Sequence, residues 1–421
     1  ATCDMGSFER EEVTRITIDS DSPEPSVTGQ AVSVSVTVEA ATGTASGTVD
    51  ISGADTNCSI TLDDTASGSC DVTFTSSGSK TLTATYNGDT IHLGSTDTEA
   101  HTVNKAETTI TIGDATDPSV SGQEVDISFT VSPVSPGVGT PTGTVTLKGT
   151  EEMLCEDVAL TSGSGSCKVT FPRAGSYDLS AGYSGDSNFN SSSLEDPEVH
   201  TVNKANTVTT ITSDLPDPSR DGDDITINFK VEVSAPGVGI PTGVVDVFEG
   251  VSLLCNDSAL GSGEGSCTAY TSGSGAVTLS VEYRGDANFN TSSGTAAHVI
   301  NDPPTDIQLA PALIAENAPS GTTVGSLTTT DPDPVDSFTY SLVSGSGSTD
   351  NSSFTITGNT LSSGKVFNYE IKNSYSIRVR STDHFGLYFE KALTIDISDE
   401  NDAPAAVDDG YDAVLNTPMS I

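Results

Sequence analysis

A chain of 421 residues is too long for one hydrophobic core and divides into three or four domains of about 100 residues each. Ser, Thr, Gly, Val and Asp dominate, Trp is absent, and Gly or Pro recurs too often for any long helix, so the composition is all-β. With 59 acidic against 16 basic side chains the formal charge is −43, which excludes nucleic acid and anionic membrane surfaces as partners and makes cations the natural ones. Solubility in a saline exterior accounts for bulk acidity equally well, so particular carboxylates need their own case. No apolar run reaches the ~18 residues of a membrane span. The chain begins without an initiator Met, a basic n-region or an apolar h-region, so an export signal is expected to lie outside it or to have been removed.

Residues 1–13 read as a tail holding the odd cysteine, Cys3, whose partner is expected upstream or in another chain, with a free thiol as the alternative. From residue 14 the sequence repeats with a period of about 100. Each unit opens on a turn, Pro25-Ser-Val-Thr-Gly29, Pro118-Ser-Val-Ser-Gly122 or Pro218-Ser-Arg-Asp-Gly222, ahead of an alternating run such as Val32-Ser-Val-Ser-Val-Thr-Val38. Alternation at period two marks a half-buried strand. Ala45-Ser-Gly-Thr-Val49, Pro141-Thr-Gly-Thr-Val145 and Pro241-Thr-Gly-Val-Val245 open a further strand.

The cysteines follow the period: Cys58 and Cys70, Cys155 and Cys167, Cys255 and Cys267, each with Gly-Ser before the second member. They read as three intradomain disulfides on adjacent strands whose side chains face each other, which implies an oxidising compartment. Buried thiols or a metal site are the competing readings, although zinc would want short Cys-x-x-Cys spacing and nearby His. Each unit then closes on a turn, Tyr86-Asn-Gly-Asp89, Tyr183-Ser-Gly-Asp186 or Tyr283-Arg-Gly-Asp286, and a strand containing His101, His200 or His298. The latter two turns run on to Asn188-Phe189 and Asn288-Phe289, and the closing strands read His101-Thr-Val-Asn-Lys-Ala106, His200-Thr-Val-Asn-Lys-Ala205 and His298-Val-Ile-Asn301. One equivalent His per unit, in separate domains, suits a structural role better than a shared metal.

This series of turns, cysteines and Tyr-x-Gly-Asp motifs resembles the bacterial immunoglobulin-like repeat found in tandem in large surface proteins. The resemblance implies Ig-like sandwiches at 14–106, 107–205 and 206–301, acting as spacers without catalytic residues. The first copy departs from the pattern by lacking the Pro of Pro-Thr-Gly and the Asn-Phe.

Beyond Asn301 the pattern changes to acidic motifs in order: Asn301-Asp302, Ala315-Glu316, Asp331-Pro-Asp333, Asn368-Tyr-Glu370, Asp383 and Asp399-Glu-Asn-Asp402. Calcium takes six to eight oxygens at about 2.3–2.6 Å, gathered from several loops. Asp and Asn also favour turns without any ion. The series is similar to cadherin-type domains and implies one at 302–404 that binds Ca2+ at both poles. Glu316, Asn368, Glu370, Asp399, Asn401 and Asp402 would serve the C-terminal pole, the fuller set. Asp331, Asp333 and Asp383, complemented by Asn301 and Asp302, would serve the N-terminal pole. Asn368 stands where the family usually has Asp, and the preceding repeat offers no Glu or acidic-x-Glu motif.

Residues 405–421 look like the first strand of a further surface domain, which either continues in the natural chain or completes a neighbouring molecule by strand addition. Thr2-Cys-Asp-Met-Gly-Ser-Phe8 resembles the close of another such repeat. Together these readings predict an all-β, extended rod of tandem Ig-like and cadherin-like β-sandwich domains, each ~35–45 Å long from strands of about ten residues at ~3.3 Å. It is expected to be secreted, extracellular and on a bacterial cell surface, as a stalk or fibre rigidified by disulfides and calcium. The expected partners are calcium and neighbouring copies or other surface proteins, with no nucleic acid and no membrane insertion. The alternatives are a filament subunit assembled by strand addition, or an adhesin segment that grips a glycan or host protein. An enzyme is not expected, because neither a Gly-x-Ser-x-Gly elbow at a strand–helix turn nor His-Glu-x-x-His occurs.

Overall fold

The computed structural model describes residues 11–150 and 152–401. Cys3, Asp402 and the segment 405–421 lie outside the described residues. These residues form strands and a single 3-10 turn, Asn351–Ser353, so the fold is all-β as expected. By backbone proximity the chain divides into two compact units, and the division runs through the third repeat.

The first repeat shows why the sequence folds as it does. Its strands are β1 (Thr14–Ser22), β2 (Ser26–Val27), β3 (Ala31–Ala40), β4 (Thr48–Ser52), β5 (Cys58–Thr61), β6 (Ser67–Thr73), β7 (Gly78–Tyr86) and β8 (Ser95–Asn104). One sheet has the order β1-β3-β6 and the other β2-β8-β7-β4-β5. In β3 the pleat sends Val32, Val34, Val36 and Val38 inward, where all are buried, and leaves the intervening residues outside that core. Each such valine contributes roughly 1.5–3 kcal/mol by leaving water. They meet Val49, Ile51, Leu82, Ala84 and Tyr86 of the opposite sheet in one core.

The chain changes sheets between β1 and β2. β1 pairs antiparallel with β3, while β2 lies parallel to β8, with Ser26 opposite Val103. The second repeat keeps this plan: Ser119–Val120 lies parallel to Glu198–Asn203, and Glu124–Pro133 pairs with Thr108–Asp114 and Ser164–Thr170. In the third, Asp224–Val233 lies between Thr207–Leu215 and Glu264–Tyr270.

All three cysteine pairs form disulfides, with Cα–Cα distances of 6.2, 6.5 and 6.3 Å. Their placement corrects the expectation of facing residues on adjacent strands. Cys58 lies on β5 and Cys70 on β6, which follow one another in the chain but are edge strands of opposite sheets. β6 spends its hydrogen bonds on β3, with Cys70 opposite Val34, so the disulfide clips the open side of the sandwich. Met153–Ala159 with Ser164–Thr170, and Ser252–Ala259 with Glu264–Tyr270, repeat the arrangement.

After Asn301 two four-stranded sheets enclose a separate core of Ile307, Leu327, Leu361, Phe367, Tyr375, Ile377 and Ile395. Their strand orders are Asp306–Ala310, Thr323–Thr330, Thr360–Ser363, Phe354–Thr357 and Leu313–Ala315, Tyr388–Ser398, Ser374–Thr382, Thr339–Leu342.

Candidate cation site at an acidic pole

The turn after Thr323–Thr330 runs Asp331-Pro-Asp-Pro-Val-Asp336, and its three carboxylates each offer an oxygen within 4.8 Å of the others. Asp333, only 8% exposed, is held from two sides: its Oδ1 accepts the Gly275 amide at 3.0 Å and its Oδ2 the Asp302 amide at 2.8 Å. Asp331 Oδ1 accepts the Asp333 amide at 2.9 Å. Asp383, buried on the loop before Tyr388–Ser398, accepts the Leu387 amide and, at 3.1 Å, the side-chain amide of buried Asn301. The structure thus gathers Asn301, Asp302, Asp331, Asp333 and Asp383 at one pole, together with Asp336, which the motif reading did not single out. The signal was present in the sequence as a third carboxylate three residues beyond Asp333.

Two oxygens in this cluster, Asp331 Oδ2 and Asp336 Oδ2, are buried with no hydrogen-bond partner. Burial, reinforced by the charges of Asp333, Asp336 and Asp383, pushes the Asp331 carboxyl above its ordinary value. Burial and the charges of Asp383 and Asp333 do the same to Asp336, and burial raises Asp302. Unit charges within 4.8 Å repel by about 3 kcal/mol per pair at an effective dielectric of ~20. The electrostatics therefore call for protons or a cation. The donor set is all oxygen, carboxylates with an amide in reach, and suits a hard divalent ion. Beside it an apolar hollow is lined by Ala276, Ile300, Pro334, Val335 and Phe385.

At the opposite pole Glu316, Glu370 and Asp399 converge. Glu316 is 2% exposed, and its two oxygens accept the amides of Tyr369 at 2.8 Å and Glu400 at 2.9 Å, which hold its carboxyl below the ordinary value. Asn368 does not join them through Oδ1, which accepts the Ile371 amide at 2.9 Å within its own turn. Asn401 is exposed, and Asp402 is outside the described residues.

The equivalent histidines are each fully buried in a hydrogen-bonded chain. Nε2 of His101, His200 and His298 meets the hydroxyl of Ser26, Ser119 and Ser219 at 2.7, 2.7 and 2.9 Å. Nδ1 meets Asp21 at 2.8 Å, Asp114, and Asp214 at 3.1 Å. A second acid, Glu24, Asp117 or Asp217, accepts the amide of the residue after the histidine. In residue type this is the serine–histidine–aspartate order of acyl-transfer enzymes, but the serines are 0, 1 and 3% exposed and no substrate reaches them. Each histidine instead pins the crossing from one sheet to the other. His101 on β8 holds Asp21 at the end of β1 and Ser26 at the start of β2. Sequence inspection places the histidines in register, and the serines too, each directly after the Pro of the opening turn with the Asp four residues before that Pro, but not the contact between them.

Among the described residues no helix is long and apolar enough to cross a membrane. Residues 19–104 and 112–203 match the bacterial Ig-like domain (group 3), and residues 311–398 match the cadherin domain. No curated protein sequence matches the chain. Among solved structures, invasin, a bacterial integrin-binding protein, shares 12% identity with a TM-score of 0.39, over 91% of this chain and 79% of its own. The Escherichia coli adhesin FdeC shares 14% with a TM-score of 0.26, over 69% and 97%. Cadherin domains 3–6 of protocadherin gamma B2 share 12% with a TM-score of 0.28, over 92% and 100%. The two family matches carry the assignment: the chain contains bacterial Ig-like domains at residues 19–104 and 112–203 and a cadherin domain at residues 311–398.

Proposed function

We propose that this protein is a non-enzymatic, extracellular structural and adhesive segment of a bacterial surface, a stalk braced by its disulfides and stiffened by calcium where the Ig-like repeats give way to the cadherin domain. The observation that carries this reading is the pair of buried, unpartnered oxygens on Asp331 and Asp336, converging with Asp333 and beside the Asn301–Asp383 contact. A bound cation would satisfy both oxygens and relieve the mutual repulsion of the carboxylates. Asp331, Asp333, Asp336 and Asp383 would hold it, with Asn301 and Asp302 contributing from the linker that enters the domain. Glu316, Glu370 and Asp399 form a second candidate group, in which backbone amides already engage both Glu316 oxygens.

The test is calorimetric titration of the chelator-treated chain with Ca2+, alongside limited proteolysis. Saturable binding that shields residues 331–336 from cleavage is expected. Absence of binding at millimolar Ca2+, with identical cleavage in chelator, overturns the calcium reading.

A further inference from the structure

The opening turns of the first two repeats end on Gly29 and Gly122, both in the left-handed region at φ +78° and +77°. A Cβ at either position would run into a backbone carbonyl, that of Val138 or Val238. These valines sit in matching loops, Pro136-Gly-Val-Gly139 and Pro236-Gly-Val-Gly239, each one repeat further along the chain. The approach is a bonded one: Val138 N–H donates to Thr28 O at 3.1 Å, and Val238 N–H to Ser121 O at 3.3 Å.

A second loop closes the same contact. Asn188 Oδ1 accepts the Ser77 amide and Asn288 Oδ1 the Ala174 amide, both at 3.1 Å. Each asparagine is held ready. Asp186 Oδ1 accepts the amides of Asn188 and Phe189, Asp286 Oδ1 those of Asn288 and Phe289, and both phenylalanines are buried. A turn organised in this way loses little freedom on docking.

The same position of the fold is treated differently at the two unlike poles. In the first repeat Asp89 makes the equivalent turn to Ile91 and His92, so no side-chain amide is available there. At the far pole of the third repeat Gly222 meets no neighbour of this kind, and the amide taken by the Asp333 carboxylate is that of Gly275, one residue beyond the place that Ser77 and Ala174 hold in their repeats. A neutral amide therefore caps the preceding repeat at the Ig-to-Ig contacts, and a charged group from the acidic cluster does so at the cadherin contact.

We infer that the pole of an Ig repeat formed by Gly29 and Ser77, or by Gly122 and Ala174, is a docking surface whose partner is a following repeat carrying both the Pro-Gly-Val-Gly and the Asp-x-Asn-Phe loops, and that this joint forms without a cation. The contacts that build it are backbone amides and carbonyls and the Asn188 and Asn288 side chains, and the charged side chains beside them are the Lys105 and Lys204 ammoniums on the Asp186 and Asp286 carbonyls and the two turn aspartates themselves, so no further ion is needed to offset repulsion.

Site-resolved hydrogen exchange on the full chain tests this. Asn188→Ala speeds exchange of the Ser77 amide about fivefold to tenfold, as loss of one hydrogen bond requires, while Leu82 and Ala84 in the core stay at wild-type rates. Gly29→Val does the same to the Val138 amide; if it also unfolds the repeat, Leu82 reports that and Asn188→Ala decides. Chelator leaves Ser77 and Val138 unchanged. Wild-type rates at Ser77 in Asn188→Ala, or loss of Ser77 protection in chelator, overturns the inference. The Gly275 and Asp302 amides are read in the same spectra, and their indifference to chelator would count against the calcium reading alone.

Discussion

The side-chain amide of Asn301 donates to Asp383 Oδ2 at 3.1 Å, both groups buried, and so ties the residue that ends the third repeat to a loop 82 residues further along. Asp302, next in the chain, hands its backbone amide to Asp333. The two contacts set consecutive residues of the linker between Ser292–Ile300 and Asp306–Ala310 against the same group of carboxylates, which is how a short connection comes to face an acidic cluster lying in another part of the sequence.

Asp333 has two tasks at this pole, and they can be separated. Asp333→Asn keeps one oxygen for an amide but removes a charge, so Ca2+ affinity is expected to fall about tenfold or more, following the dependence of such sites on ligand charge. Asp336→Asn leaves the Gly275 and Asp302 contacts intact and is expected to weaken Ca2+ binding without disturbing the chelator-treated protein. Calorimetric titration of both variants, with the Gly275 amide followed by hydrogen exchange, checks the distinction.

The disulfides clip sheet edges, so their loss is felt by the sandwich that holds them. Replacing Cys155 and Cys167 together with Ser is expected to cost roughly 3 kcal/mol in the chain-entropy model. For a domain of about 100 residues that lowers the midpoint of the corresponding calorimetric transition by roughly 10–20 °C. Transitions from the other repeats stay in place.

Removing the imidazole from a buried relay leaves two polar groups without a partner. His200→Leu strands Ser119 and Asp114 in the second repeat and is expected to cost about 2–4 kcal/mol, against about 1 kcal/mol for Ser119→Ala. The effect is read as a shift in denaturant midpoint, together with faster exchange of the amides at the start of Glu124–Pro133. His298→Leu in the third repeat should cost less than His200→Leu, because Ser219 keeps a second partner in the Thr271 hydroxyl at 2.9 Å.

His92 gives the first repeat a titrating group at the place where the other two carry Phe189 and Phe289. Its Nδ1 meets Asp89 at 2.8 Å, and this bond, with that of Nε2 to the Thr42 carbonyl, raises its pKa above the ordinary value near 6.5. A raised folded-state pKa stabilises fully below the unfolded value and loses its effect as pH rises through the folded one. The first repeat should therefore become less stable from pH 6.5 upward, and His92→Phe, which installs the residue found at this place in the other repeats, should abolish that slope. The midpoint of thermal unfolding, measured across pH 6 to 9, checks this.

Much of this architecture was legible in the sequence because its causes are local. The pleat alone makes Val32, Val34, Val36 and Val38 share a face, and a period of about 100 residues brings each cysteine pair into the same frame. The acidic residues of the cadherin pole could be named in order, including the Asp-x-Asp pair that the structure brings together. Their relative completeness was less accessible. Asn368 turns its oxygen to its own loop, while Asp336 joins a cluster it had not been assigned to, because backbone amides compete for the same oxygens and only the folded loops show which wins.

By itself the sequence determined the strands, their inward faces, the cysteine pairs and the residue types able to meet a cation, since each depends on neighbours in the chain or on simple repetition. Only the tertiary structure decided that the disulfides cross between sheet edges and that Ser26, Ser119 and Ser219 reach histidines 75, 81 and 79 residues away. It also decided that a neutral amide from Asn188 seats on Ser77 where a carboxylate from Asp333 meets Gly275. Those contacts join residues far apart in sequence, and their distances exist only once two sheets have packed and their loops have been brought to a common pole.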